Sequence, residues 1–276
     1  MKKILSTFIT AFIFSTAALA QIQIGLGKMH AAYGITVANG KIYATNPGLH
    51  YVAITNLSNG RISSFGSFGT SNGAFNTSGG ISADPKGKIY VADLGNNRIQ
   101  VFDANGNYIT KFGNGYLSLP NCVFYGSDSR IYVGEKNTDR VSVFDASYNL
   151  LYSFGTTGSG DGQFNDVSMI YVDQNQVIYT IDFVNNTIQL FNGANNGSFI
   201  RRFGSGHITQ GGSGISVDEQ TGIIYASEYN NIHKFDINGN HLGSFSGSNS
   251  RQLYFDPTTR HLWIANDNGY LMEYDL

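Results

Sequence analysis

Between residues 75 and 113 the chain alternates between short apolar runs and polar turns. The runs are Gly80–Ala83, Lys88–Ala92, Arg98–Phe102 and Tyr108–Phe112, and "DPKG", "DLGNN" and "DANGN" separate them. Runs of this length, alternating and rich in β-branched and aromatic residues, predict strands, and the Gly, Asn, Asp and Pro between them predict tight turns. The stretch therefore reads as a four-stranded antiparallel meander.

The same pattern returns along the chain. Aligned on the tyrosine of "KIYVAD", Tyr90 matches Tyr43, Tyr132, Tyr179, Tyr225 and Trp263, at spacings of 47, 42, 47, 46 and 38 residues. A period near 44 with four strands per copy is the signature of a propeller blade, so the expected fold is all-β: a six-bladed β-propeller of four-stranded antiparallel blades. The sixth copy stops after its third strand at Leu276. The missing strand is supplied at the other end by "QIQIGLG", so residues 22–27 are expected to close the last blade. At equivalent positions Ile35, Ile81, Val123, Ile170, Ile215 and Leu253 form an expected inner packing layer. Phe65, Phe112, Phe154, Phe203 and Phe245, with Leu26, form an expected outer one.

Composition adds compartment and narrows the choice of partners. Residues 1–20 carry a basic start, an apolar run and small residues ending in Ala18-Leu19-Ala20, which predicts a cleaved signal peptide. Residues 21–276 would then be a single exported propeller domain, periplasmic or secreted, with no membrane insertion and monomeric. The net charge of −2 becomes −4 without Lys2 and Lys3, and no basic block is present, which argues against nucleic acid. Cys122, the single cysteine, opens an apolar strand and reads as a small buried hydrophobe.

Copies two to four resemble the NHL repeat family, as does the linker "GSGDGQFN" at 158–165. In this the chain resembles a bacterial exported NHL repeat-containing protein. The resemblance implies a six-bladed propeller, with an acidic residue ending the second strand and Arg opening the third. Asp93 with Arg98 and Glu135 with Arg140 keep that pair, expected as bidentate structural turn braces. Asp182 is followed by Thr187 and Glu228 by Ile232, while Asn46 and Asn266 replace the acid in the first and last copies. The family's propellers usually bind proteins, sometimes RNA, and some sense ligands outside the cell.

Asn46, Asp93, Glu135, Asp182, Glu228 and Asn266 should form a ring at one end of the channel. Such a ring either braces turns or holds a hard cation. His30 and His207 should enter the same rim, so His30, Asp182, His207 and Glu228 are the candidate binding residues. No GxSxG, HxxxH or phosphate loop is present. The favoured expectation is a non-catalytic binding module without a cofactor, engaging a protein or glycan through rim loops 45–51, 183–186 and 228–231. The alternative is a metal-dependent propeller enzyme, lactone hydrolase-like or amidating lyase-like, with Ca²⁺ or Zn²⁺ at the channel mouth.

Overall fold

A computed structural model describes residues 21–25 at the level of the backbone, and residues 31–276 except 59 and 61. Each copy of the repeat folds into one antiparallel sheet, ordered from the channel outward as in the chain. Blade one is Ile35–Ala38, Lys41–Asn46, Tyr51–Asn56 and Ile62–Phe65; blade two is Ser78–Ala83, Ile89–Asp93, Arg98–Phe102 and Tyr108–Phe112. Blade three is Pro120–Tyr125, Ile131–Glu135, Arg140–Phe144 and Leu150–Phe154; blade four is Val167–Val172, Val177–Asp182, Thr187–Asn192 and Ser198–Phe203. Blade five is Gly214–Asp218, Ile223–Ser227, Asn231–Phe235 and His241–Ser246. Blade six takes Ser250–Asp256, His261–Asn266 and Tyr270–Asp275 from the C-terminus and Gln21–Gly25 from the N-terminus.

That last pairing closes the ring. Gln21 lies opposite Tyr274 and Gly25 opposite Tyr270, in antiparallel register. The strand expected over 22–27 is thus found at Gln21–Gly25; residues 26–30, including Leu26 and His30, and the expected signal peptide lie outside the described residues. Near the axis, Ala32 N–H donates to Asn266 O (2.9 Å) and Gln252 N–H donates to Tyr33 O (3.1 Å), joining blade one to blade six a second time.

The strand order defines two rims. Inner strands begin, second strands end and linkers enter at one, the entry rim. Inner strands turn back at the other, the exit rim. The inner layer forms as expected, with Ile35, Ile81, Val123, Ile170, Ile215 and Leu253 all buried. The repeated tyrosines Tyr43, Tyr90, Tyr132 and Tyr179 are buried among them. A buried hydroxyl needs a partner. The carboxylates of Asp84, Asp128 and Asp173 accept from Tyr90, Tyr132 and Tyr179, and Ala104 O accepts from Tyr43.

The outer layer differs from expectation. Phe112 is buried, but Phe65, Phe154, Phe203 and Phe245 are only half-buried. Three of them lie on the outer hairpin of the next blade. A Cβ at Gly106, Gly197 or Gly239 would come within 2.4, 2.3 or 2.7 Å of Phe65, Phe154 or Phe203. The outer phenylalanines therefore seal the seams between blades while one edge faces water.

Linkers repeat a second device. Gln100 accepts from Gly73 N–H (2.9 Å) and donates to Ala74 O (2.7 Å); Gln189 accepts from Gly162 N–H (2.9 Å) and donates to Gln163 O (2.6 Å). This seats Phe75 and Phe164, both fully buried, against the Phe-Gly ends of the preceding outer strands. Gly155 has φ +93° and its Cβ position lies 2.5 Å from the Phe164 ring.

Two stability outcomes follow. Gly155→Ala should cost about 3 kcal/mol, combining a positive-φ penalty with overpacking, as read by urea unfolding. Deleting residues 21–25 should lower the melting temperature by more than about 5 °C and expose the edge Tyr270–Asp275, promoting association through that strand. An unchanged melting curve for the truncated protein would remove the clasp from the account of stability.

Candidate functional site

The six residues ending the second strands lie on the entry rim, and all are buried. Each is engaged by its own turn or by the linker entering its own blade. Asp93 accepts from Asn76 N–H (2.8 Å), Asn96 Nδ2 (2.9 Å), Gln100 Nε2 (3.0 Å) and Arg98 Nε (2.7 Å). Arg98 spends its Nη2 on Ser71 O (2.8 Å) and Ala74 O (3.0 Å), so its contact with Asp93 is single rather than the expected bidentate pair. Glu135 and Arg140 are bidentate, at 2.8 and 3.3 Å, and Glu135 also accepts from Ser118 N–H (2.8 Å) and Ser142 Oγ (2.5 Å). Asn46 accepts from Leu49 N–H and Asn266 from Asn268 N–H. The ring residues accept hydrogen bonds from their own turns or linkers, in the two blades with Arg and in those without.

Asp182 and Glu228 occupy equivalent places but different electrostatic settings. Asp182 accepts from Asn165 N–H (2.7 Å), Val184 N–H (3.1 Å), Asn185 N–H (2.8 Å) and Asn185 Nδ2 (2.9 Å), without a cation. Burial outweighs these bonds and pushes its carboxyl up to about 6. Burial opposes ionisation of Glu228 as well, but the Thr209 N–H (2.7 Å), Asn231 Nδ2 (2.9 Å), His233 and the Gln210 N–H (3.0 Å) prevail and hold it at about 2.

The candidate residues do not converge. His207 sits on the linker into blade five, two residues before the Glu228 clamp, yet its ring stacks on His241 of the outer strand, with centroids 4.0 Å apart. His241 Nε2 lies 3.1 Å from His233 Nδ1, and His233 Nε2 lies 3.2 Å from Glu228 Oε1, an ion-pair approach without hydrogen-bond alignment. Burial, then the neighbouring His207 and His233, lower the pKa of His241. The His233–His241 pair is produced by the hairpin of blade five, which brings residues eight apart into contact. Among the described residues, no three His, Cys, Asp or Glu side chains are placed to share a metal ion.

The channel is crossed by side chains on the entry side. Tyr33 Oη donates to Asn121 Oδ1 (3.0 Å), Asn121 Nδ2 donates to Asp166 Oδ1 (3.5 Å), and Lys136 Nζ donates to Asp166 Oδ2 (2.5 Å). This chain links blades one, three and four, passing blade two at Gly79, where a Cβ would meet Asn121 O at 2.7 Å. One layer deeper, the buried Gln252 amide lies between Gly34 and Gly80, whose Cβ positions are 3.0 Å from Oε1 and 2.6 Å from Nε2. Cys122 is fully buried beside it, and burial pushes its thiol up to about 12, as its reading as a small hydrophobe requires. On the exit side the channel widens into a cavity of about 380 Å³. The sequence pointed to the entry rim and gave no sign of this cavity.

Exposed aromatics are the entry rim's other feature. Phe68, Tyr116, Phe183, Tyr229 and Tyr270 are the exposed aromatic residues among those described, and all five lie at this rim, four on linkers or second-turn loops and Tyr270 at the start of a third strand. Phe68 packs on His50, and Tyr116 lies under the Arg140 guanidinium.

Comparison with known proteins agrees with the repeat. Residues 75–102 match the NHL repeat. The chain is 44% identical over 52 residues, 19% of its length, to protein lin-41 of Caenorhabditis elegans, and 27% identical over 187 residues, 67% of its length, to protein brain tumor of Drosophila melanogaster. The matches span only 4% and 14% of those relatives' lengths. Among solved structures, virginiamycin B lyase of Staphylococcus aureus superposes with a TM-score of 0.69 at 14% identity, covering 94% of this chain and all of that one. A streptogramin B lyase superposes at 0.67 and 15% identity, covering 94% of this chain and 98% of that one. At these identities the likeness to the lyases is one of fold.

Opposite pKa shifts at Asp182 and Glu228 give opposite pH dependences. Asp182 is raised from 3.8, so its contribution is full below that value and lost as pH rises through about 6. Glu228 is lowered from 4.5, so its contribution is full above that value and lost as pH falls toward 2. Urea unfolding across pH should show stability rising from pH 7 to about 4.5 and falling below it. Asp182→Asn should flatten the first limb and Glu228→Gln the second; an unaltered first limb in Asp182→Asn would contradict the assignment.

Proposed function

The chain is a six-bladed propeller carrying an NHL repeat, and from that scaffold we propose an exported binding module that engages a protein or glycan partner through its entry rim, without catalysing a reaction. The observation that carries this reading is the segregation of all five exposed aromatics to that rim. Phe183 and Tyr229 rise from the second-turn loops of adjacent blades, at 38% and 44% exposure, and Phe68 reaches 71%. Aromatic side chains presented by short, braced loops offer large contact area at low entropic cost, the arrangement enriched at interfaces. The rigid ring lets such loops differ from blade to blade while the strands persist. Export rests on the basic, apolar and small-residue order of residues 1–20. No helix among the described residues is long and apolar enough to cross a membrane.

The catalytic alternative would draw on Asp182 and Glu228, with a metal beside them. Both carboxylates already accept several N–H donors from their own turns and from the linkers entering their blades, which favours structural duty. Asp182 and Glu228 are also poor positions for testing binding, because their loss would disturb the loops that present Phe183 and Tyr229.

Affinity capture from envelope extracts tests the proposal. Wild-type protein and an exit-rim control, Ile237→Ser, should recover the same partner. Phe183→Ser/Tyr229→Ser, with an unchanged melting temperature, should lose it by at least about tenfold, the effect of removing two aromatic anchors. Equal recovery by all three would overturn the entry rim as the binding face.

A further inference from the structure

The exit mouth is built from one column of the repeat, the residue that follows each inner-layer aliphatic: Thr36, Ser82, Phe124, Tyr171, Ser216 and Tyr254. Three are small hydroxyl residues and three are aromatic. Two of the small ones are fixed as wall elements, since Ser82 Oγ accepts from Tyr125 N–H and Ser216 Oγ from Phe255 N–H, each at 3.0 Å. The three small walls leave room beside the three aromatic ones for the cavity of about 380 Å³, floored by the inner aliphatic layer. Cavities of roughly 300–1,000 Å³ with apolar walls and a few placed polar groups suit small ligands.

The polar group here is Glu219. Its Oε1 accepts from Tyr171 Oη (2.7 Å) and its Oε2 from Gln174 N–H (3.1 Å), so the carboxylate is held at the mouth against one of the aromatic walls. Among the described residues lining the cavity it is the one that carries charge. The Phe124 and Tyr171 rings lie 5.2 Å apart at 51°, and so present inclined π faces rather than a flat stack.

We propose that the exit mouth binds a small quaternary or methylated organic ammonium, seated among Phe124, Tyr171 and Tyr254 with Glu219 at the rim. Aromatic faces attract a cation through their quadrupole, most strongly where it is desolvated. A methylated ammonium suits this site better than a compact ammonium or metal ion. Its charge is spread over apolar methyl groups, which fit the aliphatic floor at a small loss of hydration. The braced carboxylate supplies charge complementarity from the open side. This site is separate from the entry rim, because the Tyr33–Asn121–Asp166 chain and Gln252 lie between them.

Titration calorimetry of the mature protein tests the proposal, with choline, tetramethylammonium and the neutral isostere 3,3-dimethylbutan-1-ol as probes. Choline and tetramethylammonium should bind saturably at one site, and the isostere at least about tenfold more weakly. Tyr254→Leu and Glu219→Gln should each weaken choline binding by about fivefold or more, with unchanged urea midpoints, while Phe183→Ser/Tyr229→Ser binds choline like wild type. Equal affinity for choline and its isostere would show a merely apolar cavity and overturn the proposal. So would the absence of saturable binding by either cation, or wild-type affinity in both Tyr254→Leu and Glu219→Gln.

Discussion

Ring closure is the constraint on which the structure depends. Each blade has two faces to bury, and only a neighbour on both sides can bury them. A gap anywhere would expose two apolar faces and two sheet edges. The chain meets this by splitting blade six between its ends, so that Gln21–Gly25 pairs with Tyr270–Asp275. Near the axis, Ala32 and Gln252 add a second set of bonds across the same seam. The outer clasp and the inner bonds act at different radii, so the last blade is held against both hinging and peeling.

Closure also divides polar residues by duty. Buried carboxylates at the ends of second strands cannot remain unpartnered, and the turns around them supply N–H donors. Asp93 and Glu135 gain arginines as well; Asp182 has only neutral donors, and Glu228 leans on backbone N–H groups and the His233 ring. What resembles a ring of ligands along the sequence is therefore six local braces in space. They hold the loops that carry Phe183 and Tyr229 in fixed positions, which links the packing of the blades to the surface available for recognition.

Much of this was legible because repetition averages out local ambiguity. Tyr43, Tyr90, Tyr132 and Tyr179 recur at a propeller period, and Ile35 through Leu253 share one phase, so fold, blade count and inner core could be read directly. The pairing of Asp93 with Arg98 was legible for the same reason, though its single rather than bidentate contact was not. What repetition hides is whatever differs between copies. The exit cavity arises because one column mixes Ser or Thr with large aromatics, and the plug at Gln252 stands where three other blades have glycine. The His207–His241 stack needs a linker and a hairpin to meet, a contact that no spacing within one copy reveals. His30 could not be placed against Asp182 or Glu228, since it lies outside the described residues. The half-burial of Phe65, Phe154 and Phe203 reflects the outward widening of a ring, where seams open and hairpin glycines fill them.

The two faces of the ring thus have different characters: one closed over the axis and carrying exposed aromatics, the other open and carrying a cavity. Hydrogen exchange of the protein, alone and with its captured partner, tests most directly that the first is the partner-binding face. Slowed exchange confined to residues 45–51, 183–186 and 228–231 is the predicted result. Slowed exchange at the exit-rim turns 84–87, 126–129 and 174–176, with the entry-rim loops unchanged, would contradict it.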